Sequence, residues 1–220
     1  MHKIIDNLIL TENTLKEKLN NTNIPTIIAV SKTFSIDEIS PLINHGHLHF
    51  GENKVQEAVE KWTSIKQDCN DIKLHMIGKL QSNKVKYVVP LFDYIHSLDS
   101  LKLAEKISSE QKRFNKKLKI FIQINIGKEN QKSGIEIENL YNFYDNCTKK
   151  LDLDIIGLMC LPPNNEDGQK YFLKMKELAT EVNVKEISMG MSNDFLEAAI
   201  HGATFIRVGS KIFGQRAKIV

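Results

Sequence analysis

One pattern constrains this chain more than any other. A short apolar run, a polar turn and an amphipathic helical stretch follow one another again and again from residue 26 to residue 209. The apolar runs fall at residues 26–31, 47–51, 73–77, 94–97, 118–125, 154–160, 186–189 and 205–209. Several are continuous rather than alternating, as in Ile27-Ile28-Ala29-Val30, which suits strands buried on both faces. Between them lie helical stretches. Ser35-Ile36-Asp37-Glu38 reads as a capping box, and Asn53, Asp99 and Ser192 stand where helix caps are expected. A long helix is expected over residues 136–149. Ahead of the first strand, Ile5, Leu8, Ile9, Leu15 and Leu19 form one helical stripe. Alternating strands and helices imply a parallel sheet. Eight such units in 220 residues fit a closed (β/α)8 TIM-type barrel of the α/β class with an extra N-terminal helix. An open doubly wound sheet is the alternative. No linker or low-complexity stretch divides the chain, so residues 1–220 are expected to form a single domain.

Composition excludes several function classes. Hydrophobic residues make up 41% and charged residues 26%, the mix of an ordinary soluble protein. No apolar run approaches the ~20 residues of a membrane span. With 30 basic and 27 acidic side chains the net charge is +3, which gives no reason to expect nucleic acid. The basic run from Lys112 to Lys119 lacks interleaved aromatic rings apart from Phe114, and Tyr141, Phe143 and Tyr144 read as packing residues of one helix. Three scattered cysteines suit a reducing compartment, and the N-terminus has no secretory core. The expectation is a cytoplasmic protein that binds neither nucleic acid nor membrane. No apolar stripe demands a dimer, so a monomer is expected.

In a parallel barrel, chemistry collects where strands end. The first strand ends in Ser31-Lys32. A lysine there, partly desolvated, suits attack on an aldehyde, although a strand-end lysine also commonly reaches to solvent. The last two strands end in Gly190, Ser192, Gly209 and Ser210, followed by Gly214. These small residues suit an anion site, or simply turns. Arg207 lies two residues before Gly209 and is expected to point inward at the rim, as a ligand group or as an ion-pair partner. His45, His47 and His49 alternate, and a strand would place all three on one face. No Cys or acidic ligand accompanies them, so no metal site is expected. Tyr87 and Tyr94 are expected to face away from the rim, and no residue stands out as a base beside Lys32.

These residues resemble a known family. Ala29-Val30-Ser31-Lys32-Thr33 is similar to the lysine strand of the pyridoxal-phosphate homeostasis proteins, relatives of the alanine racemase N-terminal barrel. The resemblance continues in order through His49-Phe50-Gly51-Glu52-Asn53 with Gln56-Glu57, then His75-Met76-Ile77-Gly78-Lys79, and His96-Ser97-Leu98-Asp99. Gln123-Ile124-Asn125, Lys132-Ser133-Gly134 and Gly157-Leu158-Met159 follow. Ser188-Met189-Gly190-Met191-Ser192 is the strongest single match, and Arg207-Val208-Gly209-Ser210 closes the series. The resemblance implies pyridoxal 5'-phosphate as cofactor, held as a Schiff base on Lys32. Ser192, Gly209 and Ser210, with the amide of Met191, would hold the phosphate. Arg207 would face the ring nitrogen, and Asn53 would lie near the ring. The loop from Gly127 to Gln131 and the tail from Ala217 depart from the family pattern. These departures bear on loop contacts, including a second cofactor lysine at Lys132.

Pyridoxal phosphate acts as an electron sink, and a permanently charged arginine at its ring nitrogen weakens that sink. About ten residues follow the last strand, so the racemase's C-terminal β-domain and the second base it brings are expected to be absent. The expectation is a non-catalytic protein of intracellular cofactor homeostasis that stores, buffers or delivers pyridoxal phosphate, possessing no catalytic residue and serving acceptor apo-enzymes. A pyridoxal-phosphate-dependent racemase or a Schiff-base aldolase using Lys32 is the alternative.

Overall fold

The computed structural model describes residues 2–129, 131, 133–163 and 166–215. The chain opens with α1 (Lys3–Lys18), whose buried positions Leu8, Thr11 and Leu15 recur at helical spacing. Then follow β1 (Thr26–Val30), α2 (Ile36–Asn44), β2 (His49–Glu52), α3 (Val55–Asp68), β3 (Lys73–Met76) and α4 (Val85–Leu91). The middle of the chain forms β4 (Tyr94–Leu98), α5 (Leu101–Phe114), β5 (Lys119–Ile124), α6 (Leu140–Asp145) and β6 (Asp154–Cys160). The last part forms α7 (Gln169–Glu181), β7 (Glu186–Met191), α8 (Phe195–Ile200), β8 (Phe205–Val208) and α9 (Ser210–Phe213). Among the described residues each strand pairs in parallel with the next, and β8 pairs back onto β1 with Thr26 opposite Phe205. The eight strands therefore close into a (β/α)8 barrel.

The strands' two faces build two apolar layers. Outward-facing residues such as Ala29 and Leu74 pack under the helices, which present Val55, Ala58 and Trp62 from α3 and Phe172, Met175 and Leu178 from α7. The inside of the barrel holds a smaller cluster of Ile28, Tyr94, Phe121, Met159 and Phe205. It also encloses polar side chains, namely His75, His96, Ser188 and Arg207, each buried. Outside, α1 braces the barrel's last segment. Asn7 Nδ2 donates to the Ile212 carbonyl at 2.8 Å, and Phe34 stacks on Phe213 with centroids 4.7 Å apart.

Several local expectations change. The capping box at Ser35 and Glu38 is formed, but Asn53, Asp99 and Ser192 do not cap the helices that follow them. The N-caps there are Lys54, Ser100 and Asp194. The helix expected over 136–149 breaks into a 3-10 turn at Ile137–Asn139, α6, and a π-helical turn at Asn146–Lys150. β2 begins at His49. His45 is the C-cap of α2 and His47 lies in the connection, so the three histidines share no strand face. Tyr94, at the start of β4, faces away from the rim as expected: it packs inside the barrel, with its ring stacked 4.2 Å from that of His75. Tyr87 is exposed on α4. Lys132 and Ala217–Val220, where loop and tail contacts were expected, lie outside the described residues. No described helix is long and apolar enough to cross a membrane.

Candidate functional site

Lys32 follows β1 by two residues and is partly buried at the C-terminal end of the barrel. Both of its neighbours are clamped. The Ser31 hydroxyl donates to Glu52 Oε1 at 2.8 Å, and Lys61 Nζ donates to the Ser31 carbonyl at 3.0 Å. On the other side, the Thr33 amide donates to Glu57 Oε1 at 2.6 Å. Thr33 has φ +70°, an unfavourable value for a β-branched residue. The clamp is itself one network. Glu52 is fully buried and also accepts from Lys61 Nζ at 2.9 Å and Trp62 Nε1 at 3.0 Å, while Lys61 bridges to Glu57 at 3.1 Å. The hydrogen bonds hold the Glu57 carboxyl below its ordinary range, against the opposing effect of desolvation, the largest single cause. The backbone from which Lys32 projects is thus fixed by β2 and α3.

Arg207 shares the inward face of β8 with Phe205, and it is buried. It donates to Ser188 Oγ at 2.7 Å and to the Cys160 carbonyl at 2.9 Å. Among the described residues no carboxylate pairs with it, so the ion-pair reading of this arginine does not hold. Burial draws its pKa down from the usual guanidinium value, partly offset by Cys160 and Asp194. Such a site favours an incoming anion or an acceptor atom.

The loops after β7 and β8 meet. Gly190 takes φ +86°, and a Cβ there would stand 2.5 Å from that of Ala198, so only glycine allows β7 to turn this close to α8. Ser192 Oγ accepts from the amides of Gly209 at 3.1 Å and Lys211 at 3.4 Å. The serine hydroxyl thereby marks where an anionic oxygen is welcome. Ser210 is exposed beside it. The Met191 amide is already spoken for: it donates to Asp194 Oδ1 at 2.6 Å. Met191 lines the same rim, where an anion would compete with Asp194 for its amide.

On the opposite side Asn53 is pressed by Gly78. A Cβ on Gly78 would lie 2.7 Å from Asn53 Cα and overlap the Asn53 carbonyl. Asn53 Oδ1 is buried and has no hydrogen-bond partner among the described residues. All seven residues singled out from sequence, Lys32, Asn53, Met191, Ser192, Arg207, Gly209 and Ser210, line one cavity of about 680 Å³. A neighbouring hollow of about 290 Å³ includes Lys79, Gln123 and Asn125.

Sequence reasoning missed two parts of this arrangement. The Glu52–Glu57–Lys61–Trp62 clamp had a signal in the i, i+4 pair of Glu57 and Lys61 and in the chain's one tryptophan. Ser188 and His96, the polar groups behind Arg207, stand in motifs that resemble the family's and in inward-facing registers, but neither signal pairs them with one another. The cysteines are free, and burial pushes Cys147 and Cys160 up to about 12, which makes both poor nucleophiles.

With this geometry in hand, likeness to known proteins is decisive. The sequence model of the alanine racemase N-terminal domain matches residues 6–217. The pyridoxal phosphate homeostasis protein of Aquifex aeolicus is 37% identical over 203 residues, covering 88% of each chain. The chain belongs to the pyridoxal phosphate homeostasis protein family. PipY of Synechococcus elongatus PCC7942, solved without pyridoxal phosphate, superposes on it with a TM-score of 0.87 at 32% identity. That match covers 96% of this chain and all of PipY. PipY has also been solved with pyridoxal phosphate bound, and that structure gives a TM-score of 0.85 over the same shares.

Proposed function

We propose that this protein binds pyridoxal 5'-phosphate in the cavity at the C-terminal end of the barrel and takes part in cofactor homeostasis as a holder, not a turnover catalyst. The observation that carries this is the convergence of an amine, a buried guanidinium and a small-residue anion rim on one cavity of about 680 Å³. The residues present fit the cofactor. Asn53 Oδ1 is a buried acceptor lacking a partner among the described residues, and the Gly209 and Lys211 amides already bind an oxygen. When bound, the cofactor supplies an aldehyde that condenses with a primary amine, and Lys32 is the amine. Its neighbours Ser31 and Thr33 hold it in place through the Glu52–Lys61–Glu57 clamp. Ser192, Gly209 and Ser210 hold the phosphate. Arg207 meets the ring nitrogen as a donor, and Asn53 lies beside the ring. PipY, which binds pyridoxal phosphate, supports the same reading.

The cavity also argues for holding over turnover. A general base must reach the proton it removes. Apart from Lys32 and Arg207, the titratable groups among the described lining residues are Glu166 and Asp194. Glu166 is committed to Lys170 Nζ at 2.5 Å and Tyr171 Oη at 2.7 Å, and these bonds hold its carboxyl below the usual range. Asp194 is committed to the Met191 amide. Neither is poised as a base, and a guanidinium at the ring nitrogen leaves that nitrogen unprotonated. The reading extends to a cytoplasmic, monomeric holder that serves acceptor apo-enzymes.

The test is to load the protein with cofactor and incubate it with a panel of L- and D-amino acids. Retained cofactor with no racemisation, keto-acid or amine release is expected. Sustained turnover that Lys32→Ala abolishes would show an enzyme instead.

A further inference from the structure

A line of polar groups crosses the inside of the barrel behind Arg207. Ser188 Oγ lies 2.9 Å from His96 Nδ1. His96 Nε2 lies 2.9 Å from His75 Nδ1, and His75 Nε2 lies 3.0 Å from His49 Nδ1. His75, His96 and Ser188 are fully buried, while His49, the first residue of β2, is partly open at the barrel's N-terminal mouth. Each imidazole is flanked by rings. Tyr94 stacks on His75 at 4.2 Å and Phe121 stacks on His96 at 4.2 Å, with Phe205 closing the other side. The interior therefore offers these nitrogens little besides one another.

Arginine fixes the direction of the whole line, because a guanidinium can only donate. Ser188 Oγ accepts from Arg207. The Ser188 proton then has one acceptor at hand, His96 Nδ1. His96 must carry its proton on Nε2 and donate it to His75 Nδ1. His75 by the same step carries Nε2–H and donates to His49 Nδ1. A reversed line would leave the Ser188 proton without an acceptor in an apolar interior, where an unmade hydrogen bond is costly.

We propose that Ser188, His96 and His75 are positioning residues for Arg207, joined in a one-way hydrogen-bond chain that runs from the guanidinium to His49 at the opposite mouth. The chain rests on the reading that Arg207 meets the cofactor ring. It orients the guanidinium and leaves its remaining N–H groups for the cavity. Burial, the largest cause for each, lowers the pKa values of His75 and His96, so both rings are neutral, as the chain requires. His49 is lowered as well, by burial and by Lys73 and Lys119 against an opposing Asp93.

The first test uses the full chain without cofactor, with nitrogen-15 in its histidines. Ring nitrogen shifts at neutral pH are expected to show His75 and His96 as neutral Nε2–H tautomers with slowly exchanging ring protons. Either ring found as Nδ1–H, or doubly protonated, overturns the chain. The second test adds pyridoxal phosphate to Ser188→Ala and His49→Leu. Ser188→Ala is expected to weaken binding by roughly tenfold or more, as for a lost bond to a charged group, and to shift the bound cofactor's absorption band. His49→Leu, far from the cavity, is expected to shift the His96 ring signals and the same band. A folded Ser188→Ala protein with unaltered affinity and band overturns the positioning role. If the unmutated protein takes up no pyridoxal phosphate, the cofactor reading fails and with it the chain's service to a cofactor, while the ring tautomers still report the chain's direction.

Discussion

Acidification is expected to destabilise this barrel well before its carboxylates titrate. His75 and His96 are buried, uncharged and held well below the ordinary imidazole value of 6.5, with burial the largest cause. The unfolded chain exposes both at that ordinary value. Below it, unfolding takes up protons that the folded state refuses, so stability is present above pH 6.5 and is lost as pH falls toward the folded values. Between pH 7 and pH 5 each ring costs about 2 kcal/mol by this linkage, or roughly 4 kcal/mol for the pair. His47, pushed down to about 4 chiefly by burial, adds to the loss. Glu57 is lowered too, but its contribution is lost only as pH falls through the carboxylate range, below this window. A domain of this size has about 5–15 kcal/mol to lose, and the pair's share corresponds to a Tm drop of about 8–16 °C. Urea denaturation at pH 7, 6 and 5 measures the loss, and histidine ring-proton titrations assign it. A midpoint that stays level from pH 7 to 5, or His75 and His96 titrating near 6.5, would refute the reasoning.

Other perturbations address the site. Gly78→Ala forces a methyl onto the Asn53 backbone and is expected to cost about 1–3 kcal/mol and to weaken pyridoxal phosphate binding, as followed by urea melts and absorbance titration. Glu52→Gln removes the buried charge that Lys61 pairs with and is expected to cost about 3 kcal/mol; a stability unchanged in chemical denaturation would mean that the clamp on Lys32 does not depend on it. Pyridoxal lacking the phosphate is expected to bind far more weakly than the phosphorylated form, and equal affinities in the same titration would remove the anion role from Ser192, Gly209 and Ser210.

The barrel was legible because its signals are local. The unbroken apolar run of β6 and the capping box at Ser35 need no distant partner to be read. What was misread depends on contacts far along the chain. Ser192 looks like a helix cap, but its hydroxyl is taken by amides of Gly209 and Lys211. Asn53 is likewise drawn to the cavity beneath Gly78. Lys32 and Arg207 were found because strand ends collect chemistry and because strand period placed the arginine inward. The histidine chain was not, since each of its members sits in a different strand and only the closed register brings them into line. The three alternating histidines drew attention to the wrong set: His49 joins His75 and His96 rather than His45 and His47.

The central claim is that Lys32 holds the cofactor. The direct measurement is to load the protein with pyridoxal phosphate, reduce it with borohydride, digest it and locate the phosphopyridoxyl group by mass spectrometry. The account predicts the label on Lys32, and an intact but unlabelled barrel in Lys32→Ala. A label on any other lysine, or an adduct that survives Lys32→Ala, would contradict it.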